Sequence, residues 1–404
     1  MMVDTQEGIP HPPHDNPPED NPLNLVFFAS FLMLGIAGGL IGTSIPYLIA
    51  YFDVPPDQGG LFVTIQTVGG IIANIAIGRL LDRFASRAVV WIASAALALS
   101  GGLMMLAASM LGGYLAMLVF GFGFGGMLVA GNTIVTRLNL PHAAPQLNIL
   151  SVCYGIGATL GPQVTRWILQ TAPIPNAYLW IGLAQLILLP FLFAVSVRPA
   201  ARPVDQGTGA AQPLAWPLLI LFAAFLFVYT GAEIGFSAWI STHMIYVAGL
   251  PSGDAASYVS LFWFGITAGR VVGSQLARRL SDETILIGAA VLLTGVVGVI
   301  LLFPQNPAIG AGVTFAFGFV CGPVFPSALA LVGRRFPDSI GKIGGGILAA
   351  GNIGVALIPW LQGQVSGGVS GGFGVTFACA LILIGLAVLI GRSKPAAQSA
   401  AHAV

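Results

Sequence analysis

The chain alternates long apolar runs with short polar connections. Each run is about as long as the roughly 20 residues that a helix needs to cross a bilayer, and the runs lack the strict alternation of a barrel strand. They predict membrane helices at residues 24–51, 60–80, 88–109, 113–136, 147–169, 177–197, 215–247, 256–278, 284–303, 307–333, 341–363 and 371–391. We therefore expect an all-α membrane protein with twelve transmembrane helices.

Composition supports this prediction. Of the 404 residues, 56% are hydrophobic and only 7% are charged, whereas soluble domains carry about 25% charged residues. Cys153, Cys321 and Cys379 all fall inside apolar runs, so the sequence indicates neither a disulfide framework nor a metal cluster. We expect contacts with the lipid bilayer and with a small-molecule substrate. We expect no nucleic-acid partner and a monomeric protein. We also expect no cofactor, with a proton or sodium as the possible coupling ion.

The longest polar connection, rich in Pro, Gly and Ala, lies between the sixth and seventh runs. It divides the chain into two halves of six helices each. The expected organisation is a disordered cytoplasmic tail, an N-terminal half, a cytoplasmic linker, a C-terminal half and a second tail, at residues 1–23, 24–197, 198–214, 215–391 and 392–404.

An internal repeat supports the division into halves. A shift of 200 residues places Gly69 on Gly269 and Asp82 on Asp282, and a shift of 197 residues places Arg137 on Arg334 and Gly157 on Gly354. Matching halves of six helices, with a binding site between them near mid-membrane, are typical of secondary transporters.

The basic residues predict the orientation, because Lys and Arg accumulate in cytoplasmic loops. Of the 15 in the chain, all but Arg166 and Arg270 lie in every second connection or in the C-terminal tail. The intervening connections carry Asp53, Asp57 and Asp254, or no charge. We therefore expect a protein of the cell (inner) membrane with both termini in the cytoplasm.

The connection after the second run reads GRLLDRFASR at residues 78–87. It resembles the Gly-x-x-x-Asp-Arg-x-Gly-Arg-Arg signature of the major facilitator superfamily, with Gly78, Asp82, Arg83 and Arg87 matching. The resemblance implies the superfamily's twelve-helix fold and a gating role for Asp82, Arg83 and Arg87, which would hold the two halves together at the cytoplasmic side. The alternative is that this basic connection only sets the topology.

Three further stretches resemble one branch of that superfamily. They are Gly231-Ala232-Glu233 with Trp239, Phe262-Trp263-Phe264-Gly265 followed by Gly269-Arg270, and Pro323-x-x-Pro326. They are similar to the fucose/galactose/glucose symporters, including the sodium-dependent glucose transporter-like members. The resemblance implies symport of a sugar.

Glu233 stands near the middle of the seventh run, where an unneutralised carboxylate is costly and marks a functional site. Counting 1.5 Å per residue from the helix ends, the residues near mid-membrane are Tyr229, Glu233, Trp263, Arg270 and Asn352. Glu233 and Arg270 lie at comparable depth, so we expect them to pair beside a wet cavity. One interpretation is a permanently closed structural pair. The other is that Arg270 grips the substrate while Glu233 carries a coupling ion.

Further substrate-binding candidates are aromatic or amide side chains. Trp239 and Trp263 offer flat faces on which a sugar ring can stack, although aromatic side chains in membrane helices also serve as packing. Gln66 and Asn132 could line the N-terminal side of the cavity or bridge neighbouring helices. Tyr154 and Gln163 are secondary candidates.

These observations predict a secondary active transporter, not an enzyme, that moves a small polar solute by alternating access with proton or sodium coupling through Glu233. A sugar or related polyol is the first choice of solute. One alternative is an exporter or exchanger of organic anions or drugs, in which Arg270 would anchor the anion. A non-transporting membrane receptor is the alternative from another class.

Overall fold

The computed structural model describes residues 22–139, 143–188, 216–336, 340–365 and 369–393. Apart from one turn of 3₁₀ helix at Pro56–Gln58, its regular structure in these ranges is α-helical. The helices are α1 Pro22–Tyr51, α2 Gly59–Arg83, α3 Ser86–Leu106, α4 Met110–Leu138, α5 Ala144–Leu169, α6 Ile174–Ile187, α7 Trp216–Tyr246, α8 Ser252–Leu276, α9 Asp282–Leu302, α10 Pro307–Cys321, α11 Val324–Arg335, α12 Ile340–Gln364 and α13 Val369–Arg392.

The predicted all-α membrane fold is confirmed. Within the described ranges, ten helical stretches are long and apolar enough to cross a membrane, and α10 and α11 together form one of them. The other two predicted runs correspond to α5, which has 26 residues, and to α6, which is described over 14 residues. The predicted linker at 198–214 lies outside the described residues, as do residues 1–21 and 394–404 of the predicted tails.

Each half of the chain builds its own apolar core. Helices α1 to α6 bury Phe27, Phe120 and Tyr178, and helices α7 to α13 bury a stack in which the rings of Phe236 and Phe317 lie 4.0 Å apart. Because each core draws almost all of its side chains from one half, the two halves can move relative to each other without unpacking either core.

Glycines set the closest helix contacts, and they recur in both halves. A methyl group at Gly157 on α5 would overlap the backbone carbonyl of Leu32 on α1, and one at Gly354 on α12 would overlap that of Phe227 on α7. These are the two glycines that the 197-residue shift superposes. The internal repeat therefore corresponds to a repeated mode of helix packing, in which small residues let backbones approach closely.

The tenth predicted run is not one continuous helix. It breaks at Gly322 and Pro323, since proline cannot donate the backbone hydrogen bond that would continue α10. The carbonyl of Cys321, at the C-terminal end of α10, accepts a hydrogen bond of 2.8 Å from the Tyr229 hydroxyl instead. Tyr229 is thereby fixed inside the C-terminal half.

Candidate functional site

A cavity of about 170 Å³ lies between the two halves, at the mid-depth of the helices that line it. It takes residues from α1, α2, α4 and α5 of the first half and from α7, α8 and α12 of the second. Its polar and aromatic lining residues are Gln66, Thr67, Asn74, Phe124, Tyr154, Ser237, Trp263 and Asn352. Of the predicted substrate-binding residues, the structure therefore brings Gln66, Trp263 and Asn352 together.

The chemistry of this lining is neutral. Among the described residues that form the cavity wall, none is an Asp, Glu, Lys or Arg. The indole N–H of Trp263 is buried and has no hydrogen-bond partner in the protein. A buried donor without an acceptor is costly unless a solute or a water accepts from it. This N–H can therefore donate to a hydroxyl or carbonyl oxygen of a solute in the cavity.

Small residues create the space. Gly38 and Gly42 on α1, and Gly121 and Gly125 on α4, form part of the wall. Gly121 packs against the backbone of Gln66, which sets the close approach of α2 and α4. The spacing of four in both pairs is visible in the sequence, because residues four apart share one helix face. This spacing of glycines is the sequence signal from which the cavity could have been located.

Two aromatic residues meet across the halves at the cavity wall. The rings of Tyr154 on α5 and Trp263 on α8 lie 6.1 Å apart with an interplanar angle of 81°. Phe124 on α4 adds a second edge-on contact to Tyr154, at 6.5 Å. Such edge-to-face pairs are favourable aromatic arrangements. Tyr154, only a secondary candidate in the sequence, is thus central to the site.

Glu233 lies beside this cavity and not in its wall. It borders a narrow crevice within the C-terminal half whose other lining residues include Leu293, Phe317 and Thr376. Tyr229 lines the same crevice. Ser237, one turn further along α7, does line the cavity. Glu233 is therefore close to the solute space without facing it.

The predicted ion pair between Glu233 and Arg270 is not formed. The ion pairs among the described residues do not include these two side chains. Arg270 is exposed and does not line the cavity. The depth of both residues could be predicted from the sequence, but the direction in which each side chain leaves its helix could not.

Three other candidates lie away from the cavity wall. The buried indole N–H of Trp239 donates to the Pro359 carbonyl at 2.8 Å, so Trp239 ties α7 to α12. Tyr229 packs inside the C-terminal half, as described above. Asn132 is exposed, and its amide donates to the Leu128 carbonyl of its own helix at 2.8 Å.

The two ends of the helix bundle differ in how the halves meet. We call the end that carries Asp57 and Asp254 the Asp57 end, and the end that carries Arg83 and Arg334 the Arg334 end. At the Asp57 end, Arg166 on α5 pairs with Asp254 on α8 at 3.0 Å. Four hydrogen bonds also join the halves there. The Gln163 amide donates to the hydroxyls of Ser257 and Ser260. The Thr64 hydroxyl donates to the Ala356 carbonyl, and the Gln364 amide donates to the Asp57 carbonyl. The halves are closed together at this end.

The Arg334 end holds the predicted gate. Arg83 and Arg87 are exposed there, and the side chain of Asp82 lies outside the described residues. The described ion pairs at this end stay within the second half, where Arg334 pairs with Asp282 at 2.5 Å and Arg335 with Glu283 at 3.0 Å. Asn74, which lines the cavity on this side, is exposed. The arrangement is a central cavity closed at the Asp57 end.

The family model described as "Major Facilitator Superfamily" matches residues 26–359. The chain belongs to the major facilitator superfamily. Its sequence is 28% identical over 372 residues to a "Glucose/galactose transporter" of Brucella abortus biovar 1 (strain 9-941), covering 85% of this chain and 86% of that protein. The membership predicted from residues 78–87 is confirmed.

Two solved transporter structures show the same fold. One is a bacterial homologue of the human lysosomal transporter Spinster in an inward-facing and occupied conformation, with a TM-score of 0.76 and 14% identity over 92% of this chain and 97% of that one. The other is a D-xylose-proton symporter, with a TM-score of 0.73 and 15% identity over 93% and 98%. As in other secondary transporters, a cavity between two halves permits alternating access.

Proposed function

We propose that this major facilitator carries a small, neutral, polyhydroxylated solute, a sugar or related polyol, through the cavity between its halves. The observation that carries the proposal is the neutral wall of that cavity. Amide, hydroxyl and indole groups from Gln66, Asn352, Ser237 and Trp263 suit the hydroxyl groups of a sugar, and the aromatic faces suit its apolar ring. The transporter of glucose and galactose in Brucella abortus supports the same solute class.

The neutral wall also weighs against an anionic solute. Burying an unpaired anion is costly, so an organic-anion site needs a cationic side chain in direct contact with the solute. Arg270 does not line the cavity, and no other Lys or Arg of the described chain does. The exchange of organic anions is therefore the less favoured function.

Glu233 is the proposed coupling residue, and a proton is the proposed coupling ion. The crevice beside Glu233 is too narrow to admit a water molecule. A sodium ion requires a shell of several oxygen ligands, whereas the neighbours of the carboxylate in this crevice are largely apolar. A proton needs neither a water-sized cavity nor a shell of oxygen ligands. No other cofactor enters the proposed mechanism, and the proposed working unit is a monomer.

The orientation follows from the basic residues. The positive-inside rule favours an orientation with the Arg334 end in the cytoplasm. The closed Asp57 end then faces outward, and both termini lie in the cytoplasm. The proposed location is the inner membrane of the cell. The described conformation is then an inward-facing one.

Labelling of single introduced cysteines tests this orientation. Gln305, between α9 and α10, and Arg279, after α8, are both exposed. We expect Gln305→Cys to react with an impermeant thiol reagent added to intact cells and Arg279→Cys to react only after permeabilisation. Unsubstituted protein is the control for Cys153, Cys321 and Cys379. Reaction of Arg279→Cys in intact cells would reverse the orientation.

Uptake of labelled solutes into proteoliposomes tests the function itself. We expect exchange of a hexose and no exchange of nitrate or of a dicarboxylate. Asn352→Ala removes an amide from the wall, and leaving solute hydroxyls unpaired costs about 1–3 kcal/mol, so the KM for exchange should rise roughly 5- to 100-fold. Asn132→Ala is the matched control, because that amide is exposed and bonded within its own helix, and its KM should not change. Anion exchange without hexose exchange would refute the proposed function.

A further inference from the structure

One apolar cluster joins the two halves of the protein. Trp239 and Ala238 of α7 are buried together with Ile45 and Ile49 of α1 and with Val63 of α2. We call these five residues the Trp239 cluster. The two larger apolar cores each belong almost wholly to one half. The Trp239 cluster is therefore apolar surface that the halves bury against each other.

The Trp239 cluster lies between the solute cavity and the Asp57 end. On α1, the residues that line the cavity end at Gly42, and Ile45 follows in the direction of the Asp57 end. On α2, which runs in the opposite direction, Val63 is the first residue that lines the cavity. Val63 and Ala238 belong both to the cluster and to the cavity wall. The cluster therefore closes the cavity on this side.

The indole of Trp239 is held by the second half. Its N–H donates to the Pro359 carbonyl of α12 at 2.8 Å, and the residue is 2% exposed. An indole is a hydrogen-bond donor only, so the contacts of Trp239 with the first half are apolar. When the halves separate, the bond to Pro359 can stay in place, whereas the contacts with α1 and α2 must break.

The polar contacts at the Asp57 end are weaker restraints than this cluster. The side chains of Arg166 and Asp254 are 38% and 54% exposed, and an exposed ion pair contributes little to stability. The hydrogen bonds between the halves can be exchanged for bonds with water. The burial of an apolar ring has no such replacement in water, and an apolar constriction also excludes water and ions. The Trp239 cluster can therefore both hold this end together and keep it dry.

We propose that the Trp239 cluster is the seal between the solute cavity and the Asp57 end. When the cavity opens outward, the halves part between the Trp239 ring and the side chains of Ile45 and Val63, while the indole N–H stays on the Pro359 carbonyl. Trp239 thus takes part in transport without contacting the solute. The inference rests on the proposed function, because it requires this cavity to carry a solute by alternating access.

A cysteine in the cavity wall tests the seal. Asn352→Cys places a thiol there, and an impermeant thiol reagent is added to intact cells that contain the full-length protein. Trp239→Ala removes contacts that exist only while the cavity is closed at the Asp57 end. We therefore expect Trp239→Ala to raise the labelling rate of Asn352→Cys at least about tenfold. Each seal variant without the reporter cysteine is the control for the three native cysteines.

Two further variants separate sealing from a general loosening of the protein. Ile45→Ala thins the cluster from the side of the first half and should raise the labelling rate in the same direction. Phe236→Ala is the matched control, because Phe236 is a buried aromatic residue of the same helix that packs against Phe317 within the second half. It should leave the labelling rate unchanged. Melting curves check that each variant is folded.

Wild-type labelling rates in both Trp239→Ala and Ile45→Ala would overturn the inference, as would an equal rise in Phe236→Ala. If Asn352→Cys alone were labelled as fast as Gln305→Cys, the cavity would not be sealed at this end, and the inference would also fall. Hexose exchange by the unsubstituted protein is measured separately. Faster labelling of the seal variants without any hexose exchange would support the seal and refute the sugar as solute.

Discussion

Replacing Glu233 with glutamine should abolish accumulation of the solute against its gradient and leave exchange across the membrane intact. Glutamine keeps the shape of the side chain and its capacity to hydrogen-bond, but it holds the position permanently neutral. Exchange needs no change of protonation, whereas accumulation driven by a proton gradient does. We expect the accumulation ratio of Glu233→Gln to fall to about one, the value at equilibrium without coupling, and to be insensitive to the pH difference.

The structure also predicts that Glu233→Gln folds. Removing one partner of a buried ion pair costs about 3–5 kcal/mol, because it leaves the other charge buried and uncompensated. Glu233 forms no ion pair with Arg270 in the described chain, and Arg270 is exposed. The substitution therefore leaves no buried cation behind, and the melting temperature in detergent should stay close to that of the wild type.

Two measurements distinguish a coupling role of Glu233 from a structural one. They are hexose exchange and accumulation in one proteoliposome preparation, and a melting curve of the same protein. A well-folded Glu233→Gln protein that still accumulates hexose would remove Glu233 from the mechanism. A protein that unfolds, and recovers when Arg270→Gln is added, would show that the two residues pair in another conformation for structural reasons.

The helices could be predicted from the sequence because membrane spans are long apolar runs with polar ends. The run predicted at 60–80 corresponds to Gly59–Arg83, and that predicted at 371–391 to Val369–Arg392. The break between α10 and α11 was not predicted, although Pro323-x-x-Pro326 was visible. Proline is tolerated within membrane helices when neighbouring groups satisfy the freed backbone, so the motif alone does not indicate a break.

The depth of the candidate site could be predicted, but the rotation of each helix could not. Gln66, Trp263 and Asn352 line the cavity. Trp239 instead packs with Ile45 and Val63 of the first half, and its indole N–H donates to a carbonyl of α12. Apolar side chains surround a buried membrane helix on nearly every face, so its sequence lacks the amphipathic pattern that fixes rotation in a soluble helix. The packing glycines carry this information instead.

Packing glycines should be the least replaceable residues outside the cavity. We expect Gly157→Ala and Gly354→Ala to destabilise the protein strongly, because the added methyl group overlaps the backbone carbonyl of Leu32 or Phe227. A backbone atom cannot rotate away as a side chain can, so α1 and α5, or α7 and α12, must separate. Overpacking of this kind costs about 1–3 kcal/mol or more.

Gly102 on α3 and Gly288 on α9 provide the matched controls, one in each half. A methyl group at either position meets no atom within 4 Å, and alanine is the better helix former by about 1 kcal/mol in soluble helices. We therefore expect Gly102→Ala and Gly288→Ala to melt at or above the wild-type temperature in detergent, and Gly157→Ala and Gly354→Ala to melt several degrees below it. Since the 197-residue shift superposes Gly157 on Gly354, similar losses in the two variants would show that the repeated sequence encodes a repeated contact. If all four variants melted together, close backbone packing at these glycines would not limit stability.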